Sequence, residues 1–159
     1  MAKINDLIAV LAAGIAGDTA VQAWADLKYD RPLTVMENCD PRNDPGEGDC
    51  PLVILYPLSK SGGLNQSDKT HVIGFSCVVF DTGMPVSLEG VTRFTGGRLV
   101  EEMRELAVAA IRSSLPAGLH IESILTEYDT IEQFPYVSAG MEITFTQKKI
   151  LGTTQDPYE

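Results

Sequence analysis

A chain of 159 residues with 44% hydrophobic content is enough for one ordinary folded core. Charged residues make up 21%, which excludes wholesale disorder. Lys and Arg number 12 against 22 Asp and Glu, and the resulting charge of −10 argues against surfaces for nucleic-acid phosphates or anionic membranes.

The chain opens on an apolar run, LIAVLAAGIAG, from Leu7 to Gly17. Its eleven residues fall well short of the roughly 20 that span a bilayer. Lys3 is offset by Asp6, so the basic start of a signal peptide is missing. The expectation is a buried or amphipathic helix in a soluble intracellular protein. Three cysteines, an odd number, fit a reducing compartment.

Residues 3–28 read as helical, with Gly14 and Gly17 each weakening the middle by roughly 1 kcal/mol relative to Ala. Asp18 and Thr19 are good N-cap residues, so a break there starts a second segment, AVQAWADLK. Trp24, the only tryptophan, reads as a helix anchor in the core. A short strand, LTVME, follows. PLVILYPLS is a second strand, with Pro57 marking an edge or an end. Residues 59–69 read as a polar loop, and THVIGFSCVVFDTG as a central strand apolar on both faces. Residues 82–97 read as an irregular connection.

RLVEEMRELAVAAIRSSL, residues 98–115, is the clearest helix. Leu99, Met103, Leu106 and Ala110 form its stripe, widened by Ala107 and Ile111, and Pro116 and Gly118 stop it. HIESILTEYDTI and YVSAGMEITFTQKK finish the sheet. In the latter, Met141, Ile143 and Phe145 alternate with Glu142, Thr144 and Thr146, one face dry and one wet. The order predicts an α+β domain over residues 1–150, a mixed, mostly antiparallel sheet with two main helices packed on one face. Residues 151–159 are expected to be a flexible tail.

Between the first two strands lies ENCDPRNDPGEGDCP, residues 37–51, with two cysteines, five carboxylates, three prolines and two glycines. Cys39 and Cys50 stand eleven apart and His71 and His120 are far away in sequence, which is poor zinc spacing. Read as a calcium loop from Asp40, the third position is Arg42, a cation where a ligand belongs. A Cys39–Cys50 disulfide is geometrically open but would not persist under reducing conditions. The leading reading is a solvated excursion between strands. Its charged residues, Asp40, Arg42, Asp44, Glu47 and Asp49, are the candidate partner contacts.

The histidines read as structural, and Cys77, inside an apolar strand, as a small hydrophobe. No phosphate loop, GxGxxG, GxSxG or HExxH occurs. Thr95-Gly96-Gly97 precedes a helix and is the place where an anion could sit. The expectation is a protein without catalytic, metal or cofactor sites.

A helix carrying AVQAWADLKYDRPLTV leads to an acidic loop ending in DCPLVILYP. GGRLVEEMREL then opens a helix, and EQFPYVSAGMEITF closes the domain. This pattern resembles the tail-terminator and tail-completion proteins of long-tailed bacteriophages and prophages. The resemblance spans about 145 residues and carries over no individual site residue. It implies a non-enzymatic subunit of a hexameric ring that caps the tail tube and meets the head–tail connector. Its partners would be other copies of itself, the tail-tube protein and the connector, without specific nucleic-acid or membrane binding. Its location would be the bacterial host cytoplasm during assembly, then the virion tail. Six copies would carry about −60, six times the formal charge, and a bore lined by part of it would let DNA slide. Three long loops on a small domain suit contacts between subunits. The competing readings are another neck or head-closure protein, or a small intracellular ligand-binding domain with a pocket between the sheet and the second predicted helix.

Overall fold

The computed structural model describes residues 3–62 and 68–148. Its first apolar segment is divided where the sequence predicts, giving α1 (Ile4–Ala16) and α2 (Thr19–Tyr29) bent 58° apart. Asp18 makes the division. Its carboxylate accepts hydrogen bonds from the Ala20 and Val21 backbone N–H groups, satisfying donors that the first turn of α2 leaves without helical partners. The third helix, α3 (Gly96–Ser114), is the long amphipathic one. The three helices are thus the two segments of the first run, divided as expected at Asp18, and the long α3.

The strands are β1 (Thr34–Glu37), β2 (Leu52–Ser61), β3 (Asp68–Phe80), β4 (Val86–Leu88), β5 (Val91–Arg93), β6 (Leu119–Asp129) and β7 (Tyr136–Lys148). Five form one sheet in the order β1-β2-β3-β7-β6. Every pairing in it is antiparallel except the parallel β1–β2 pair at one edge. β3 is central, as its two-sided apolar sequence requires. Pro57 lies beyond the part of β2 that β1 covers, at a register shift, where its missing N–H removes no ladder bond to β1. The predicted loop 59–69 is shorter than expected: β2 continues to Ser61 and β3 begins at Asp68.

One face of the sheet carries the core. Alternate residues Ile73, Phe75 and Cys77 of β3, and Met141, Ile143 and Phe145 of β7, are buried against α1 and α3. The wet positions Glu142, Thr144 and Thr146 take the opposite face. α1 contributes Leu11 and Ile15, and α3 contributes Val100, Met103, Ala107, Ala110 and Ile111. The buried centre of α3 is thus turned slightly from the predicted stripe, and Leu99 and Leu106, seven residues apart, are only partly buried at its border. α1 and α3 approach closely enough that a Cβ on Gly14 would lie 2.3 Å from the Ser114 Oγ. On the helix-free face, the Tyr56 ring covers Gly74, its cross-strand partner.

Polar ties fix α2 to α3. Trp24 is buried, and its indole N–H donates to the Glu102 carboxylate at 3.0 Å. Lys28 lies 3.5 Å from the same group. Glu101 accepts from Arg104 at 2.5 and 2.7 Å and from the Tyr128 hydroxyl of β6.

Two outcomes test this packing. Met103→Ala removes a fully buried side chain and is expected to cost about 2–5 kcal/mol by urea unfolding. Leu106→Ala, at the border, should cost less than about 1.5 kcal/mol; the reverse order would place the stripe one step round the helix.

His71 supplies the second. It is buried on the core face, and its Nδ1 has no hydrogen-bond partner among the described residues. Burial, then the charges of Lys60 and Lys69, hold its pKa below the ordinary 6.5. The unfolded chain therefore takes up this proton first, and stability falls as pH drops from 6.5 through the folded value. Between pH 7.5 and 5, His71→Gln should flatten the fall in urea midpoint. An unchanged slope would show that His71 does not carry it.

Candidate functional site

The acidic stretch after β1 is organised from within. Asp40 accepts from the Arg42 side chain at 2.9 and 3.1 Å and from its backbone N–H. That contact holds the Asp40 carboxyl below its usual range. Asp49 accepts from the Gly46 N–H at 2.8 Å and closes a short turn, Glu47–Asp49. Arg31 donates to the carbonyls of Glu47 and Gly48, tying the turn to the end of α2. Of the five predicted contact residues, Asp40, Arg42, Asp44 and Glu47 are exposed and Asp49 is half-buried. They share a loop but converge on no common point, and no group of three metal-ligating side chains meets among the described residues.

Both cysteines of this loop are free, but in unlike settings. Cys39 is exposed. Cys50 is fully buried, and burial pushes its thiol up to about 11, with the Asp49 charge adding to the shift. The expectation of an exposed loop thus fails at its last residues, Cys50 and Pro51, which are buried as the chain enters β2. Cys77 is buried in the core and pushed to about 12, as a small hydrophobe would be.

The length of the loop has a topological cause. β1 and β2 are parallel neighbours, and such a pair needs a crossover of roughly a dozen residues or more. Residues 38–51 are that crossover.

Residues 82–97, expected to be irregular, contain a ribbon. β4 and β5 pair antiparallel around Glu89 and Gly90, both at positive φ, 53° and 78°. That is a two-residue turn whose twist suits a hairpin, and Gly90 adopts its angle without a Cβ penalty. Period-2 alternation puts Val86, Leu88, Val91 and Arg93 on one face. Ser87 and Thr92 take the other, their hydroxyls 3.2 Å apart. The apolar face is not packed. Val86, Leu88 and Val91, with Met84 and Phe94 at the root, are between 51% and 84% exposed.

Asp81 anchors this arm at both ends. Its carboxylate accepts from the Gly83 N–H at 2.8 Å and from the Thr95 hydroxyl at 2.6 Å. Its own N–H donates to the Pro135 carbonyl, joining the arm to the β6–β7 loop, where Ile131 and Phe134 are also exposed. Gly96 allows α3 to begin against this knot, since a Cβ there would lie 2.8 Å from Val137 Cγ2 and 3.2 Å from an Asp81 oxygen. The predicted anion position before α3 is thus filled by the chain's own carboxylate.

The other place considered for a ligand, between sheet and α3, is filled by Phe75, Met103, Ala107, Ile111, Ile143 and Phe145. The assembled feature of this molecule is an end surface, the arm and the adjoining loop. Its signal was present in the sequence as Val86-Ser-Leu-Glu-Gly-Val-Thr-Arg93, an alternating pattern around a turn dipeptide.

No protein-family model and no curated protein matches the sequence. Among solved structures, the chain is similar to one from the virion of a native gene transfer agent (GTA) particle, with a TM-score of 0.46 and 12% identity. The match covers 88% of this chain and 91% of that one.

Removing the Asp81 clasp should loosen the arm without unfolding the domain. Asp81→Ala is expected to cost about 1–3 kcal/mol at most and to raise amide exchange within residues 82–95 above that of the core strands. Equal protection of the arm in both proteins would show that the clasp does not hold it.

Proposed function

We propose that the protein is a structural subunit of a phage-like particle. In the finer reading it forms a ring, of six copies, that caps the tail tube and meets the head–tail connector. The observation that carries an assembly role is the end surface. Its exposed apolar side chains are gathered on a clamped arm and the loop beside it, whereas scattered exposure would need no explanation. The tail-terminator assignment within that role rests on the sequence resemblance: the helix with AVQAWADLKYDRPLTV, the crossover ending in DCPLVILYP, and GGRLVEEMREL before the final strands. No catalytic step is assigned to the chain.

Such a subunit works through position. It presents one surface to its neighbours in the ring and another to the tube end, and it needs stiffness more than reactivity. The long β3–β7 pair and the clamped arm suit that requirement. The net charge of −10 suits a channel that passes DNA without holding it.

Deleting the gene from a particle-producing host is expected to leave tails of uncontrolled length, or heads and tails that fail to join, as counted by electron microscopy. Added protein should restore both. Normal tail length with failed joining would favour another neck protein. Normal tails on filled heads would end the proposal.

A further inference from the structure

The arm also points to its own receptor. We infer that the β4–β5 arm of one copy docks along the free edge of β6 in a second copy, extending the neighbour's sheet. This deepens the ring reading and rests on its premise of self-association.

The donor side is amphipathic and unsupported. A two-stranded ribbon by itself is marginal in water, and its apolar face normally needs a third layer or strand. Here that face, Val86, Leu88 and Val91, meets solvent. Together with Met84, Phe94, Ile131 and Phe134, it exposes on the order of 800 Å² by fractional exposure, about one partner's share of a standard interface.

The acceptor side is the long edge that the described residues leave unpaired. The sheet ends on one side at β1, four residues long, and on the other at β6, eleven residues long. Edge strands invite pairing unless they are short, bulged or charged. A bulge between Ile121 and Ser123 disrupts only the early part of β6. Beyond it, Leu125 is exposed on the helix-free side, flanked by exposed Glu127. Each arm strand is three residues long and fits within the stretch 124–129.

Charge selects the same pairing. The charged residues on and at the foot of the arm are Asp81, Glu89, Arg93 and Arg98, two acids balanced by two bases in a chain of −10. The β6 surface carries Glu122 and Glu127, with Glu142 across the ladder from Leu125. The arm is thus near neutral where the rest of the chain is acidic, and docking it on β6 brings Arg93 to carboxylates. Donor and acceptor are different patches, so the contact is head-to-tail, the type that generates rings or filaments.

The test uses the full chain carrying Cys39→Ser, which removes the exposed native thiol. Leu88→Cys and Leu125→Cys are introduced on separate chains, mixed at up to about 1 mM because a lone contact of this size can be weak, and oxidised. The expected product is a disulfide between the two different chains. A chain carrying both changes should give a ladder of higher multiples. Adding Val86→Asp should reduce the cross-linked fraction about tenfold while leaving the melting curve unchanged, since the arm is outside the core. An oligomer seen by light scattering without this cross-link, or cross-links only between two Leu88→Cys chains, would overturn the arm–β6 contact and leave the ring standing. A chain still monomeric and uncross-linked at about 1 mM would overturn the contact, while particle assembly in the deletion strain would decide the ring separately.

Discussion

The packing of α3 across β3 and β7 is the constraint from which the rest of the molecule follows. The two strands pair over their whole length, Asp68 with Lys148 through Phe80 with Tyr136. At thirteen residues each they extend about 44 Å, while the nineteen residues of α3 rise only about 28 Å. One helix therefore cannot roof the whole pair. α1 adds cover on the β1–β2 side, and the chain leaves the covered zone at both ends: the β2–β3 hairpin at one and the arm at the other.

Helical burial on a single face has an electrostatic counterpart. The ties Trp24–Glu102, Lys28–Glu102 and Arg104–Glu101 cluster on the early turns of α3, around two adjacent carboxylates. The Arg104–Glu101 pair holds the Glu101 carboxyl below its ordinary range, with the Tyr128 hydroxyl assisting from β6. These contacts are partly exposed, so their role is to set the angle between α2, α3 and the sheet edge rather than to supply most of the stability.

Much of the architecture was legible because it is written in local chemistry. Asp18 marks the helix break through its cap, and Met141, Ile143 and Phe145 mark a half-buried strand through alternation. What escaped was information carried by pairing. Nothing in Thr34–Glu37 says that it runs parallel to β2, so the reason for the length of the crossover was hidden. The arm was missed because its alternation spans only three residues on each side of Glu89-Gly90, and Pro85 at its entry looks like simple irregularity. Asp81 could not be identified as a clasp either, because Thr95 lies fourteen residues away and the Pro135 carbonyl much farther.

The crossover from β1 to β2 has one more consequence. Its two ends are fixed by the sheet, through the Thr34 N–H to the Pro51 carbonyl and the Asn38 N–H to the Leu55 carbonyl. Between them the chain is held chiefly by contacts of its own, apart from Arg31. Loop-closure entropy grows only with the logarithm of length, at about 0.6 kcal/mol per doubling. Insertions in the exposed part of this segment, residues 40–44, are therefore expected to have little effect on folding. An epitope spliced between Asn43 and Asp44 would ride on the outside of the subunit, remote in sequence from the arm and from β6, and would mark where each copy sits in an assembled particle.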